Sequence, residues 1–179
     1  MKRISFSPFP VFTTNRLLLR QLNATDALAL SILRSNERVN RYIKRVKYTS
    51  VNIAGEFIKN INENIRQNIT AYWAICIKDN PEVIGAICLW NFSKDLQTAE
   101  VGYELSPAFY RQAIMSEALE CIIQYSFETL GFNKLEAFTH KDNISSIKLL
   151  EKHNFKIEPD RKDEENEDFI IYSRISTAP

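Results

Sequence analysis

Residues 99–155 read AEVGYELSPAFYRQAIMSEALECIIQYSFETLGFNKLEAFTHKDNISSIKLLEKHNF, and the order of apolar periods in this stretch constrains the fold most. A short extended run, Val101 to Leu105, is closed by Ser106-Pro107. Met115, Ala118, Leu119, Ile122, Ile123, Ser126, Phe127 and Leu130 then recur at spacings of three and four, which makes one apolar stripe on a helix. Gly131 predicts its end, since glycine takes the left-handed conformation just past a last turn. A second extended run covers Lys134 to Thr139, and a second helix opens near Asp142 and Asn143. Strand, helix, strand in that order makes the two strands parallel and the helix a right-handed crossover. It also sets a helix N-terminus beside the C-terminal end of a strand, where unpaired N–H groups and the helix dipole attract anions.

The remaining segments build a sheet around this unit. Residues 16–22 read as a strand, and Asn23 to Asp26 supply capping side chains for a helix bearing Ala27, Leu28, Leu30, Ile32 and Leu33. Residues 51–66 form a helix with Ile53, Ala54, Phe57, Ile58, Ile61 and Ile65 on one side, a stripe suited to core burial. Tyr72 to Lys78 and Val83 to Trp90 make a hairpin around Asp79-Asn80-Pro81, and Gln97 to Leu105 extends it after a turn near Ser93 to Asp95. Asn154 to Glu158 is a further strand, Pro159 to Asp168 an acidic hairpin loop, and Phe169 to Ile175 the closing strand. The expected class is α/β (α+β) in a single domain over residues 1–179, with a mixed, mostly antiparallel sheet of about six to seven strands flanked by about four helices.

Of the 179 residues, 45% are hydrophobic and 25% charged, which suits a packed core and excludes disorder. A net charge of +1 argues against a nucleic-acid binder, and no apolar run approaches the roughly 20 residues that span a bilayer. The N-terminal MKRISFSPFPVF, interrupted by Pro8 and Pro10, lacks a signal-peptide core, so a cytoplasmic location is expected. Cys76, Cys88 and Cys121 lie in apolar runs without metal-ligand spacing and read as reduced, buried thiols, with no metal site. The basic segment Arg34, Arg38, Arg41, Lys44, Arg45 and Lys47 reads first as a solvated face, and alternatively as a surface for an acidic substrate or a ribosome. Trp73 and Trp90 read as core or cleft walls, His140 as a cleft-edge residue and His153 as a surface residue. No nucleophile elbow for a Ser–His–acid hydrolase is visible.

Several short motifs in the correct order, AEVGYELSP (99–107), MSEAL (115–119), FETLGFNKLEAFTH (127–140) and DNISSIKLLEKHNF (142–155), carry a resemblance. With TTNRLLLRQLNATDA (13–27) and YWAICIKDNPEVIGAICLW (72–90), they resemble GNAT-superfamily N-acetyltransferases of the RimJ/RimL type over nearly the whole chain. The resemblance implies a sheet splayed near its centre and an acetyl-CoA cosubstrate. It implies that the strand end Glu104-Leu105 pairs with the pantetheine, that the loop Tyr110, Arg111, Gln112, Ala113, Ile114 and Met115 takes the pyrophosphate, and that Asn143 contacts the pantetheine arm. In the family that loop is glycine-rich; here Arg111 and Ala113 stand where glycines are expected. Glycine suits such a site because it lets backbone approach phosphate and permits positive φ. Ala113 is a small change if its φ is negative, while Arg111 either crowds the loop or pairs with a phosphate.

Amine acetylation needs a base, and the resemblance implies Glu100 in that role, its other reading being a structural carboxylate bonded to backbone or a tyrosine. Glu104 is the second choice, and alternation makes Tyr103 packing. Ser146, in Asn143-Ile144-Ser145-Ser146, is implied as donor to the leaving sulfur, although Asn143 is also an ordinary N-cap and Ser146 a first-turn residue. The expected function is direct acetyl transfer from acetyl-CoA to a primary amine, on a protein N-terminus (notably ribosomal) or a small molecule, by a monomer or homodimer that binds neither membrane nor nucleic acid directly. Two other readings stay open: a GNAT-like binding module with an altered pyrophosphate loop and no acetylation, and an interaction protein using residues 34–47 on RNA or ribosomes.

Overall fold

The computed structural model describes residues 4–43, 45, 50–164 and 166–177; Lys44 and Lys47 of the basic segment, Glu165 of the acidic loop and the first three residues of the N-terminus lie outside them. Strands β1 (Phe12–Thr13), β2 (Leu17–Gln21), β3 (Ala71–Ile77), β4 (Val83–Trp90), β5 (Thr98–Leu105), β6 (Lys134–His140), β7 (Lys156–Ile157) and β8 (Phe169–Ile175) form one sheet in the order β1-β2-β3-β4-β5-β6-β8-β7. Helices α1 (Ala27–Ser35), α2 (Glu37–Asn40), α3 (Val51–Arg66), α4 (Ile114–Gln124) and α5 (Ile144–Lys152) pack on it. The sheet is thus one strand larger than expected and the helix set one member larger. The additions, β1 of two residues and α2 of four, are too short to show a period in the sequence.

Every neighbouring pair is antiparallel except β5 and β6, as the strand–helix–strand order requires. Alternation along β5 assigns the faces. Tyr103 reaches α5, and Trp73, directly across from Ile87 on β4, meets Tyr125 beyond α4, so α4 and α5 cover one face. Glu104 reaches Arg34 of α1, so α1 and α3 cover the other. Between the layers Trp73, Ile75, Ile87, Leu89, Leu119 and Ile122 are fully buried. In α3 the buried residues are Ala54, Ile58 and Ile65, as the apolar stripe requires. Among the described residues no helix is long and apolar enough to cross a membrane.

The crossover helix departs from a single regular stripe. Its α-helical part stops at Gln124 and a π turn covers Tyr125–Thr129. There the buried Ser126 hydroxyl donates to the Ile122 carbonyl at 2.6 Å, a back-bond that competes with the regular ladder. The widened turn seats Tyr125 against Phe12 and Trp73, with ring centroids 4.9 and 6.0 Å apart. Gly131 follows with φ of 66°, in the left-handed conformation expected of it.

Pairing between β5 and β6 is short. It has three rungs, Thr98↔Lys134, Ala99↔Leu135 and Glu100↔Glu136, and then ends. Yet β5 stays paired with β4 as far as Leu105↔Gly85, and β6 with β8 as far as His140↔Phe169. The two strands therefore part from the rung at Glu100, leaving a fork whose arms are residues 101–105 and 137–140.

The β4–β5 arm depends on a close backbone approach at Gly85, where an added Cβ would lie 2.5 Å from the Glu104 carbonyl oxygen and 3.2 Å from the Leu105 Cα. Because both obstacles are backbone, Gly85→Ala must part the strands at that rung. We expect a loss of about 1–3 kcal/mol in urea unfolding; an unchanged midpoint would show that the arm can shift freely.

Candidate active site

At the apex of the fork two carboxylates face each other, Glu100 on β5 and Glu136 on β6. Burial of Glu100 pushes its carboxyl up to about 7; the charges of Glu136 and Asp163 add to this, and the Asn91 side-chain amide, donating at 3.4 Å, opposes it. Burial acts on Glu136 in the same sense, but Arg161 and Lys134 outweigh it and hold that carboxyl below the usual range. Lys134 Nζ lies 2.8 Å from Glu136 and Arg161 Nη1 2.5 Å from it. Two like groups on one rung are thus split into a fixed anion and a carboxyl poised near neutrality, the separation that acid–base chemistry uses. Beside them Trp90, opposite Glu100 on β4, is 46% exposed. A Cβ on Gly102 would come within 3.8 Å of its Nε1, so the indole lies along the β5 backbone at the apex. It is a cleft wall, whereas Trp73 is core.

Glu104 is placed differently from the expectation of a second base. Only 8% exposed, its carboxylate accepts from Arg34 Nε at 2.8 Å and from the Tyr72 hydroxyl at 3.0 Å, and pairs with Arg45 Nη1 at 2.5 Å. Burial opposes the charge, but the two guanidinium groups prevail and hold this carboxyl below its ordinary range. A carboxylate so held has little affinity for a proton near neutrality. The same contacts correct the reading of residues 34–47 as a solvated face. Arg34 is buried, its guanidinium 4.0 Å from the Phe57 ring centroid, and Arg45 turns inward, while Arg38 and Arg41 stay exposed over Tyr110 and Tyr42. With the Glu104 side chain committed, Glu104 and Leu105 offer the fork their backbone on the side where β6 has departed.

The loop after β5 runs through a single 3₁₀ turn, Pro107–Phe109, to Ala113, the N-cap of α4. Arg111 and Ala113 both have positive φ, 60° and 59°, so the alanine is left-handed, contrary to the benign case of a negative φ. The chain keeps the turn that glycines would make, at roughly 1–2 kcal/mol for each L-residue. Alternating left- and right-handed residues turn successive N–H groups toward one concavity. Ala113 gives no capping side chain to the first turn of α4, so the N–H groups of Ile114 and Met115 depend on water or a ligand. Arg111 is exposed.

A clamp behind the loop holds this conformation. Arg16 Nη1 donates to the Gln112 carbonyl at 2.9 Å and Arg16 Nε to Glu117 at 2.7 Å, while the Thr14 hydroxyl donates to the same carboxylate at 2.6 Å. Gln112 Nε2 also donates to the Ala108 carbonyl at 2.9 Å.

Across the fork, Asn143 caps α5 by accepting from Ser146 N at 3.2 Å. That leaves its amide NH₂ as a donor. Ser146 Oγ lies 2.8 Å from the Tyr103 hydroxyl. Burial pushes the Tyr103 phenol up to about 12, against the lowering effect of Ser146, so the phenol keeps its proton. Tyr103 was read as packing; the alternation that separates it from Glu100 and Glu104 is what points it at α5. His140, at the end of β6, lies against Tyr42 and edge-on to Phe169, with ring centroids 5.2 and 6.1 Å apart. His153 is not a surface residue. It is 6% exposed at the C-cap of α5 and bonded to α4. Cys76 is buried, Cys88 and Cys121 half-buried, and all three are free thiols.

The model of the GNAT acetyltransferase domain matches residues 16–156. Over 150 residues the chain is 32% identical to the uncharacterized N-acetyltransferase YoaA of Bacillus subtilis, covering 84% of this chain and 85% of that one. Among solved structures, the ribosomal L7/L12 alpha-N-protein acetyltransferase RimL in complex with coenzyme A matches with a TM-score of 0.81 at 19% identity, over 93% of this chain and 98% of that one. The ribosomal-protein-S5-alanine acetyltransferase of Vibrio fischeri matches with a TM-score of 0.80 at 19% identity, over 94% and 97%.

Glycine at position 113 would remove the left-handed strain of about 1–2 kcal/mol and cost roughly 0.5–1 kcal/mol in chain entropy. Ala113→Gly should therefore raise the unfolding free energy by about 0.5–1 kcal/mol, read by chemical denaturation. A loss of stability would mean the loop is not held at positive φ in solution.

Proposed function

The chain belongs to the GNAT acetyltransferase domain family, and from that premise we propose that it carries acetyl from acetyl-CoA to a primary amine, by direct attack of the amine in a ternary complex. The observation that carries this reading is the fork, with one carboxyl poised near 7 at its apex and unpaired strand backbone along its arm. Acetyl-CoA, when bound, supplies an activated thioester carbonyl. The residues present fit it. Glu104 and Leu105 can pair through their backbone with an extended amide-bearing arm as an added strand would. The left-handed turn at Arg111 and Ala113, with the first N–H groups of α4, makes an anion cradle for a diphosphate built from Tyr110, Arg111, Gln112, Ala113, Ile114 and Met115. The Asn143 amide faces the same arm from α5.

Glu100 acts as base: it takes, directly or through one water, the proton that the acceptor ammonium must shed before the amine attacks. Its partner Glu136, kept anionic by Lys134 and Arg161, strengthens that base, since a fixed negative charge beside Glu100 favours its proton-bound form. Ser146, hydrogen-bonded to a phenol that stays protonated, donates toward the departing sulfur, with Tyr103 restoring the proton behind it. The acceptor is a primary amine; the RimL-like neighbours, named as acting on ribosomal proteins, favour a protein N-terminus, and small amines are the other class to screen.

A panel of amines with acetyl-CoA, read by released thiol, tests this directly. With the best acceptor, kcat should rise with pH through about 7 and then level, because Glu100 accepts a proton only once ionised, above its raised pKa. Glu100→Gln should lower kcat by about 100-fold, leave the acetyl-CoA KM unchanged and erase that limb. Full turnover in the variant would make Glu100 a structural carboxylate.

A further inference from the structure

Away from the fork, on the face covered by α4 and α5, a second set of reactive side chains meets. Ser116, in the first turn of α4, places its Oγ 2.8 Å from His153 Nε2 and 2.9 Å from Lys152 Nζ. The other ring nitrogen, His153 Nδ1, is 2.7 Å from Glu120 Oε2. Ser116 and Glu120 are one helical turn apart and share a face of α4, while His153 is delivered from the end of α5. Ser146 and His153 lie about 10 Å apart along α5, so this cluster is separate from the Tyr103–Ser146 pair.

The donors and acceptors can be assigned by elimination. The Glu120 carboxylate only accepts, so Nδ1 carries a hydrogen and donates to it; in the neutral ring Nε2 is then bare and accepts from Ser116 Oγ, which accepts in turn from the Lys152 ammonium. That is the order of a nucleophile, its base and an orienting carboxylate, with a cation added at the nucleophilic oxygen. His153 is 6% exposed, so its ring is fixed, whereas Ser116 is half-buried and borders an open groove of about 590 Å³. Thr14, Arg16, Gln124 and Lys152 also line the groove.

We propose that Ser116 is the nucleophile of a second acyl-transfer site, an esterase site for small acyl esters. Oγ forms a bond to the ester carbonyl carbon while its proton passes to His153 Nε2. The charge that develops on the carbonyl oxygen is met by Lys152 and the positive end of α4. The bond to the leaving alcohol breaks, and His153 returns the proton to it. Water then adds to the Ser116 ester with its proton taken by His153, releasing the carboxylic acid and restoring Ser116. Ser116 and His153 are the catalytic residues; Glu120 is a positioning residue that keeps the ring's tautomer.

The test uses the full chain without acetyl-CoA. A fluorophosphonate probe should form a fluoride-displaced adduct on Ser116, located by peptide mass spectrometry. Labelling should slow by about 100-fold in His153→Asn and about 10-fold in Glu120→Gln at unchanged thermal midpoints, a rate effect that a merely structural tie would not produce. Ser116→Ala should lose p-nitrophenyl acetate hydrolysis. Wild-type protein left unlabelled at Ser116, or hydrolysis by Ser116→Ala at the wild-type rate, would overturn the proposal; the labelling result on unaltered protein decides even if a variant fails to fold.

Discussion

The rest of the structure depends on the early end of hydrogen bonding between β5 and β6. A parallel pair of seven- and eight-residue strands could continue past its third rung, and this one does not. Each strand is instead held by its outer neighbour, β4 on one side and β8 on the other, so both remain strands while the space between them opens. Buried backbone groups seldom go unpaired, so an internal edge of this kind asks for an extended partner. The position of the last rung also decides which side chains meet at the apex. Here they are two glutamates, one neutralised by Lys134 and Arg161 and the other burdened by burial.

The loop at the top of β5 holds a left-handed turn without the residues best suited to it. Arg111 and Ala113 adopt positive φ although neither is glycine. Such strain persists where surrounding contacts determine the backbone. Those contacts come from far back in the chain. Arg16 and Thr14, just ahead of β2, grip Glu117 and the Gln112 carbonyl together. The turn is thus held by hydrogen bonds from a segment distant in the chain.

The long elements were legible in the sequence because period and turn chemistry agree there: α3, β4 and β8 fall where their patterns place them, and Gly131 stops the crossover helix. β1 and α2 left no trace, being shorter than one period. The π turn was hidden because Ser126, Phe127 and Leu130 still fit spacings of three and four. Glu100 and Glu136 were brought together by a register that local pattern does not encode. Arg34 and Arg45 were read as solvated because the charge that draws them inward, Glu104, lies 70 and 59 residues further along the chain. The burial of His153 was equally invisible, since Ser116 and Glu120 belong to another helix.

Arg45 carries one more implication. It lies between α2 and α3 in the chain, and its guanidinium neutralises a carboxylate on the strand that lines the fork. Position 45 in this chain is tied to β5 through that ion pair. Randomising residues between the two helices would strip the buried Glu104 of a counter-charge whenever Arg45 was lost. Such a library would confuse loss of the strand with loss of whatever else the stretch does.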